Sequence, residues 1–326
     1  MTPCPIRHHA NTLRKNARAP GVLALVLMML NIAGCASTPE LSESTSQKLP
    51  QQTLLEEVPF HGQRDYQCGP ASLAMVLNAS GVPVDLDTLI PQVFLPGREG
   101  SVQPEMLATT RRHGRIPFVI NGGFDALLTE IDAGHPVVVM QNLSLPTWPV
   151  WHYAVAIGFD REEETLILHS GMEPERMTSF TRFDATWARS DRWAFIALPP
   201  GDLPATTDAK SALEAIADFE RVQGAKAAIP AWEAFVARHP TQAMGHFALG
   251  NARNAIGDSQ GAIEAFEDAV KADSGLAVAW LNLGLLHREL GEGDKAHEAL
   301  QRGATIPGAW QEQAKEALDD LKMGGE

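Results

Sequence analysis

The spacing of apolar and polar residues divides the chain into a mixed segment and a wholly helical one. Between residues 58 and 200, the apolar runs 137–140, 153–159, 165–168 and 193–198 are short, β-branched or aromatic, and bounded by turn residues, which is typical of strands. Helical spacing precedes most of them, after Cys68 and at 85–90, 103–113 and 124–133. Helices followed by antiparallel strands predict an α+β domain.

Beyond residue 210 the apolar pattern is helical throughout and repeats. Positions 34 residues apart carry the same residue types: Leu249-Gly250 and Leu283-Gly284, Ile256-Gly257 and Leu290-Gly291, Ala262 and Ala296, Phe266 and Leu300. This pattern resembles the tetratricopeptide repeat, whose small residues allow close helix packing. We expect repeats over residues 211–321, joined through a Pro-, Gly- and Thr-rich linker at 201–210. Because the composition of this linker is typical of solvent-exposed segments, we expect residues 58–200 to fold on their own.

Residues 1–34 have the pattern of a signal peptide. A basic start precedes the apolar run 22–30, which is too short to span a bilayer as a stable helix. The run ends in Ile32-Ala33-Gly34-Cys35, which resembles a bacterial lipobox and implies lipid on Cys35. Ala36 at the next position implies an outer-membrane lipoprotein facing the periplasm, with residues 35–57 as its flexible tether. Ordinary cleavage near Ala36 and a signal anchor are the alternatives.

The charge balance restricts the possible partners. The chain carries 26 Lys and Arg against 40 Asp and Glu, a formal net charge of −14. Four basic and no acidic residues lie in 1–34, so the remainder holds 22 basic and 40 acidic residues, a net charge of −18. Such a surface repels phosphate backbones and anionic headgroups, so nucleic acid is not an expected partner.

Cys68 is the candidate nucleophile. Of three cysteines, Cys4 is removed with the signal peptide and Cys35 carries lipid, which leaves Cys68 unpaired in an exported protein. It begins a predicted helix, where free N–H groups and the helix dipole favour an anion and predict a lowered thiol pKa. A thiol nucleophile also needs a base, and His152 opens a predicted strand from which its ring reaches this helix end.

Together these segments resemble the bacteriocin-processing cysteine peptidases of the papain-like fold. The shared residues are Gln63, residues 65–71 (Asp-Tyr-Gln-Cys-Gly-Pro-Ala), His152-Tyr153 and Gly158-Phe159-Asp160. The resemblance implies a papain-like cysteine peptidase domain over 58–200 with Cys68 as nucleophile and His152 as base. It also implies that Gln63 donates to the oxyanion with the backbone N–H of Cys68. Gln67 is the competing amide donor.

The third catalytic member departs from that family. The family usually has Asp-Pro at the end of the next strand, where this chain reads Leu168-His169-Ser170-Gly171. Ser170 aligns with the expected aspartate, and His169 lies beside it. Either side chain can hold an imidazole, but neither brings a negative charge to stabilise imidazolium. Asp160 and Asp184 remain alternatives.

The predicted chemistry is thiolate attack on a peptide or amide carbonyl in the bacterial envelope, without a cofactor or metal. The motifs of zinc enzymes and serine hydrolases are absent from the sequence. The repeats predict a protein partner or substrate, and the lipid predicts a membrane. Two alternatives stay open: a peptidoglycan amide hydrolase with His169 as second histidine, and a non-catalytic assembly factor that binds peptides. The tryptophans at 148, 151, 187 and 193 line a groove or complete the core.

Overall fold

The computed structural model describes residues 38–63, 66–98, 100–121 and 123–323. The predicted signal peptide and the lipidation of Cys35 lie outside these residues. No helix in the described part of the chain is both long and apolar enough to cross a membrane.

A seven-stranded sheet organises the first part of the protein. Its strands are β1 (Gln52–Leu54), β4 (Ile116–Val119), β5 (Val137–Asn142), β6 (Trp151–Asp160), β7 (Thr165–Ser170), β8 (Glu173–Ser179) and β9 (Ala194–Leu198). They run in the order β4-β9-β5-β6-β7-β8, with β1 also pairing with β6, and every pairing is antiparallel. A separate hairpin pairs β2 (Phe94–Leu95) with β3 (Gly100–Ser101). The helices here are α1 (Glu43–Lys48), α2 (Cys68–Ala79), α3 (Leu86–Val93), α4 (Gln103–Arg112), α5 (Gly123–Asp132) and α6 (Phe180–Trp187).

Helices cover both faces of the sheet. Alternate residues of a strand point to opposite faces, and the long strand β6 divides its side chains between two cores. Tyr153, Val155 and Ile157 pack with the apolar side of α2 in one core. Ala154 and Ala156 pack in the other core with side chains of α5 and α6. The α+β architecture that the sequence predicts is confirmed.

The segment predicted as a flexible tether is ordered from residue 38 onward. Residues 43–48 form α1, and β1 pairs with the far end of β6, with Thr53 opposite Phe159. Leu49 is buried in the core. The chain passes so close to β6 that a Cβ on Gly158 would lie 2.5 Å from the Thr53 carbonyl oxygen. Strand pairing and one buried leucine therefore hold a segment whose polar composition suggested disorder.

The second part of the protein is a row of paired helices. They are α7 (Ala209–Gln223), α8 (Ala225–Arg238), α9 (Ala243–Ala255), α10 (Ser259–Ala272), α11 (Ala277–Glu289), α12 (Gly293–Thr305) and α13 (Gln311–Met323). Alternate helices begin 34 residues apart along this row. A Cβ on Gly250 would lie 2.6 Å from the Phe266 ring, and one on Gly284 would lie 2.6 Å from Leu300. The recurring glycines are thus the points where paired helices touch.

The hydrophobic core continues across the predicted linker. Ile216 and Phe219 of α7 and Trp232 of α8 share one buried cluster with the sheet residues Phe118 and Leu198. The boundary predicted at residue 200 marks a change in sequence pattern, from mixed helices and strands to helices alone. The buried cluster nevertheless contains residues from both sides of that boundary.

The linker itself is fixed by hydrogen bonds, although several of its residues are exposed. The Glu130 carboxylate is fully buried and accepts hydrogen bonds from the Ala205 N–H, from the Thr206 N–H and hydroxyl, and from the His135 ring. Buried carboxylates are tolerated where hydrogen bonds satisfy them, so this contact ties the linker to α5.

Candidate active site

Cys68 is the first residue of α2, at the end of the helix where backbone N–H groups are free. The next residue shows why the motif contains glycine. A Cβ on Gly69 would lie 2.3 Å from the Ser101 hydroxyl oxygen and 3.4 Å from the Met106 sulfur. Only glycine therefore lets this helix start pack beneath β3 and α4.

Two opposing effects act on the Cys68 thiol, which is half-buried and unpaired. Burial raises its pKa and is the larger effect, while the backbone N–H groups of Tyr153, Gly69 and Cys68 itself lower it. The sequence predicts a lowered thiol pKa from the helix N-terminus, and the structure differs because desolvation outweighs these backbone contacts. The contact with Tyr153 brings the thiol to β6, at the residue that follows His152 in the chain.

His152 lies near the start of β6, and its ring Nε2 is 2.9 Å from the Ser170 hydroxyl. Burial, the larger effect, and the positive charge of Arg176 together lower the pKa of His152 from 6.5 to about 4. The ring is therefore neutral at neutral pH. In the tautomer whose Nε2–H donates to Ser170, Nδ1 is the acceptor nitrogen, which is the form a general base needs.

The structure separates the candidate third members. Ser170 contacts the His152 ring. Both ring nitrogens of His169 are used elsewhere: Nε2 bonds the Val58 carbonyl at 3.1 Å, and Nδ1 accepts the Glu175 N–H at 3.2 Å. His169 therefore has no nitrogen left to orient His152.

The two aspartates have other partners. Asp160, at the opposite end of β6 from His152, accepts the N–H groups of Glu162 and Glu163. Asp184 pairs with the Arg192 guanidinium at 2.8 Å. Ser170 is thus the candidate that the fold brings to His152.

Gln63 reaches the site through its backbone. Its N–H donates to the Gly171 carbonyl at 3.1 Å, so the strand end that carries Ser170 lies beside the segment that leads into α2. Gln67 caps α2 without a side-chain hydrogen bond to the helix, and its side-chain oxygen is buried without a partner among the described residues. The oxyanion role of the Gln63 side chain stays a prediction.

A cleft of about 770 Å³ opens beside Cys68. Residues 98 and 100–104 line one part of it, and Met140 and residues 149–151 line another, with Tyr66 and Tyr153 beside the thiol. Binding sites of this size accommodate a peptide-sized ligand. Sequence reasoning missed the 98–104 segment as a site element, although its Pro- and Gly-rich start marked a loop. Within the described residues, no cluster of His, Cys, Asp or Glu is suited to hold a metal ion.

In comparisons with known proteins, two family models match different parts of the chain. Residues 55–194 match the model of the Peptidase_C39 like family. Residues 213–277 and 255–314 match the tetratricopeptide repeat. The chain joins a C39-like domain to tetratricopeptide repeats. The resemblances stated from the sequence are confirmed to that extent.

Solved structures are similar to each part. A putative C39-like peptidase from Bacillus anthracis is 18% identical, with a TM-score of 0.38, over 46% of this chain and 98% of that one. A double glycine motif protease from an AMS/PCAT transporter, in complex with the leader peptide, is 20% identical, with a TM-score of 0.34, over 45% and 98%. MamA is 26% identical, with a TM-score of 0.34, over 36% and 68%. Among curated proteins, none matches the chain significantly.

Proposed function

We propose that the protein is a cysteine peptidase-like hydrolase that cleaves peptide or amide bonds of protein substrates in the bacterial envelope. One arrangement carries this proposal. The Cys68 thiol lies at a helix N-terminus against the Tyr153 N–H, and His152, the residue before Tyr153 in the chain, is hydrogen-bonded to Ser170. The match of residues 55–194 to the C39-like family supports the same reaction class.

The chemistry follows from a neutral thiol and a neutral base. His152 Nδ1 takes the proton as the Cys68 sulfur attacks the carbonyl carbon, and the carbonyl electrons move to oxygen. The backbone N–H of Cys68 and the Gln63 amide stabilise that oxyanion. Collapse breaks the C–N bond, and the imidazolium gives its proton to the leaving amine. Water then attacks the thioester carbonyl with His152 again accepting a proton; the C–S bond breaks, the acid leaves, and the imidazolium returns its proton to the Cys68 sulfur.

The lipobox sequence and the repeats suggest where the protein acts and what it binds. Lipid on Cys35 anchors the protein in the outer membrane, facing the periplasm, as the lipobox sequence suggests. The repeats recruit a protein partner or substrate, since stacked helix pairs present extended surfaces for polypeptides.

A non-catalytic peptide-binding role is the second candidate. The raised pKa of the Cys68 thiol and the lowered pKa of His152 both favour the neutral pair, and a serine stands where the family usually has aspartate. The peptidoglycan amidase alternative is less well supported, because both ring nitrogens of His169 are occupied by backbone groups.

Digestion experiments separate these functions. The purified protein and a Cys68→Ala variant are incubated with a denatured protein and with isolated sacculi, and the products are identified by mass spectrometry. We expect Cys68-dependent fragments of the denatured protein and intact sacculi. Release of muropeptide fragments alone would support the amidase, and cleavage of neither substrate would support the binding role.

A further inference from the structure

An apolar loop adjoins the cleft and is exposed to water. Residues 143–150, between β5 and β6, read Leu-Ser-Leu-Pro-Thr-Trp-Pro-Val and contain no charged side chain. The exposed fractions are 80% for Trp148, 65% for Leu145 and 55% for Val150. Contiguous exposed apolar residues on a soluble surface mark interaction sites. We call residues 143–150 the Trp148 loop.

The Trp148 loop is held in one conformation by hydrogen bonds. The buried Asn142 side chain accepts the N–H groups of Ser144 and Val150 at 3.0 Å, and the Leu143 N–H donates to the Val150 carbonyl. Arg189 donates to the carbonyls of Asn142 and Ser144. A loop fixed in this way loses little conformational entropy on binding, so its apolar side chains are preorganised for a ligand.

The Trp148 loop is continuous with the cleft beside the candidate nucleophile. Its last residues, Pro149 and Val150, line that cleft together with Trp151, Met140 and Tyr153. A polypeptide that lies over Cys68 therefore meets the loop within the same surface. Because the loop carries no charge, it selects apolar side chains rather than acidic or basic ones.

We propose that the Trp148 loop is a substrate-docking surface that binds an apolar segment of an unfolded or extended polypeptide flanking the bond presented to Cys68. The position of that bond rests on the proposed function, whereas the binding of the polypeptide does not. It makes unfolded proteins with exposed apolar runs the substrate class, and Trp148 and Leu145 the anchors of binding.

Binding is tested separately from cleavage. The Cys68→Ser protein is titrated with reduced, carboxymethylated α-lactalbumin and with an unfolded Gly/Ser-rich polypeptide that lacks apolar side chains. We expect binding of the first probe only, weakened about tenfold or more by Trp148→Ser with Leu145→Ser, because anchor residues dominate binding energy. Trp310→Ser, which removes a half-exposed tryptophan from the turn before α13, is the matched control and should bind normally.

Four outcomes would overturn the inference. The first is equal binding of both probes, and the second is equal affinity of the loop variant and the Trp310→Ser control for carboxymethylated α-lactalbumin. The third is that the loop variant keeps its affinity for the polypeptide but no longer binds phosphatidylglycerol–phosphatidylethanolamine vesicles, which would make the loop a membrane contact. The fourth is that the loop variant loses only self-association, measured by sedimentation, which would make the loop an interface between copies of the chain. In the cleavage-competent protein, the loop variant should raise KM for carboxymethylated α-lactalbumin, and Trp310→Ser should leave that KM unchanged. Binding without any cleavage would uphold the docking surface and reject the proposed hydrolase.

Discussion

The charges around His152 distinguish this site from one with an aspartate. The ring contacts the neutral Ser170 hydroxyl at 2.9 Å, and the positive charge of Arg176 adds to burial in lowering its pKa to about 4. Imidazolium is therefore disfavoured in the resting protein, and the base stays neutral through the range in which an ordinary histidine is protonated. In the proposed mechanism, His152 therefore acts as a general base rather than as one half of a preformed ion pair.

Replacing Arg176 with Gln should raise the pKa of His152, because it removes a nearby positive charge; burial will still hold that pKa below 6.5. The base must be neutral to act, so the acid limb of the kcat/KM profile should lie at about pH 4 in the wild type and at a higher pH in the variant. Because the unfolded chain protonates this histidine near its ordinary pKa of 6.5 and the folded chain only near 4, the protein loses stability as pH falls from 6.5 towards 4. The exposed Arg182→Gln is the control and should leave the limb unchanged.

Replacing Ser170 with Ala should lower kcat about tenfold with little change in KM, because it removes one hydrogen bond that orients the base. Ser170→Asp supplies a negative charge and should raise the pKa of His152, moving the acid limb to higher pH. Steady-state kinetics over pH measure both effects. Unchanged kcat in Ser170→Ala would mean that another group orients the ring.

The sequence could predict that Cys68 begins a helix and that Ser170 lies beside His152, but not the protonation of these groups. Short segments of sequence predict a helix that begins at Cys68, a strand that begins near His152 and a strand that ends near Ser170. The pKa values depend on how deeply the ring and the thiol are buried and on Arg176 in β8, which is distant in sequence. Those contacts exist only in the folded chain.

At the scale of helices and strands, the spacing of apolar and small residues predicts an element correctly where that element packs against its neighbours in the sequence. The repeat was predicted because each small residue contacts the next helix, as Gly250 contacts Phe266. Residues 43–54 were not predicted, because their order comes from pairing with β6 about a hundred residues later. A polar segment with one buried leucine carries no periodic signal for such pairing.

The helix contact at Gly250 predicts the effect of adding one methyl group. Gly250→Ala should destabilise the protein by about 1–3 kcal/mol, because its Cβ would lie 2.6 Å from the Phe266 ring inside a packed interface. Urea unfolding followed by circular dichroism measures the loss. Gly293→Ala is the control, since nothing lies within 4 Å of its Cβ and alanine favours a helix. Equal stability of the two variants would remove the argument that the repeating glycines serve close packing.

For the whole molecule, the continuous core changes the expectation of an independent first domain. Ile216, Phe219 and Trp232 are buried in the same cluster as the sheet residues, and Glu130 holds the linker. Ending the chain at residue 208 would expose this surface. A chain that ends at residue 275 keeps all residues of the shared cluster.

We therefore expect residues 38–275 to unfold cooperatively and residues 38–208 to aggregate or to melt at a much lower temperature. Near-ultraviolet circular dichroism and thermal melts compare the two. A cooperative transition of residues 38–208 at the temperature of the longer chain would show that the repeats are not needed to complete the core.

The central claim, that Cys68 is a nucleophile served by His152, is tested most directly by trapping the acyl-enzyme. The purified protein is mixed with an activated acyl ester, quenched in acid and analysed by peptide mass spectrometry. The account predicts the acyl mass on the peptide that contains Cys68, formed at least a hundredfold more slowly in His152→Ala, since general-base catalysis contributes roughly that factor. Acylation of Cys68 at the same rate in His152→Ala, or no acyl mass on Cys68 in the wild type, would contradict it.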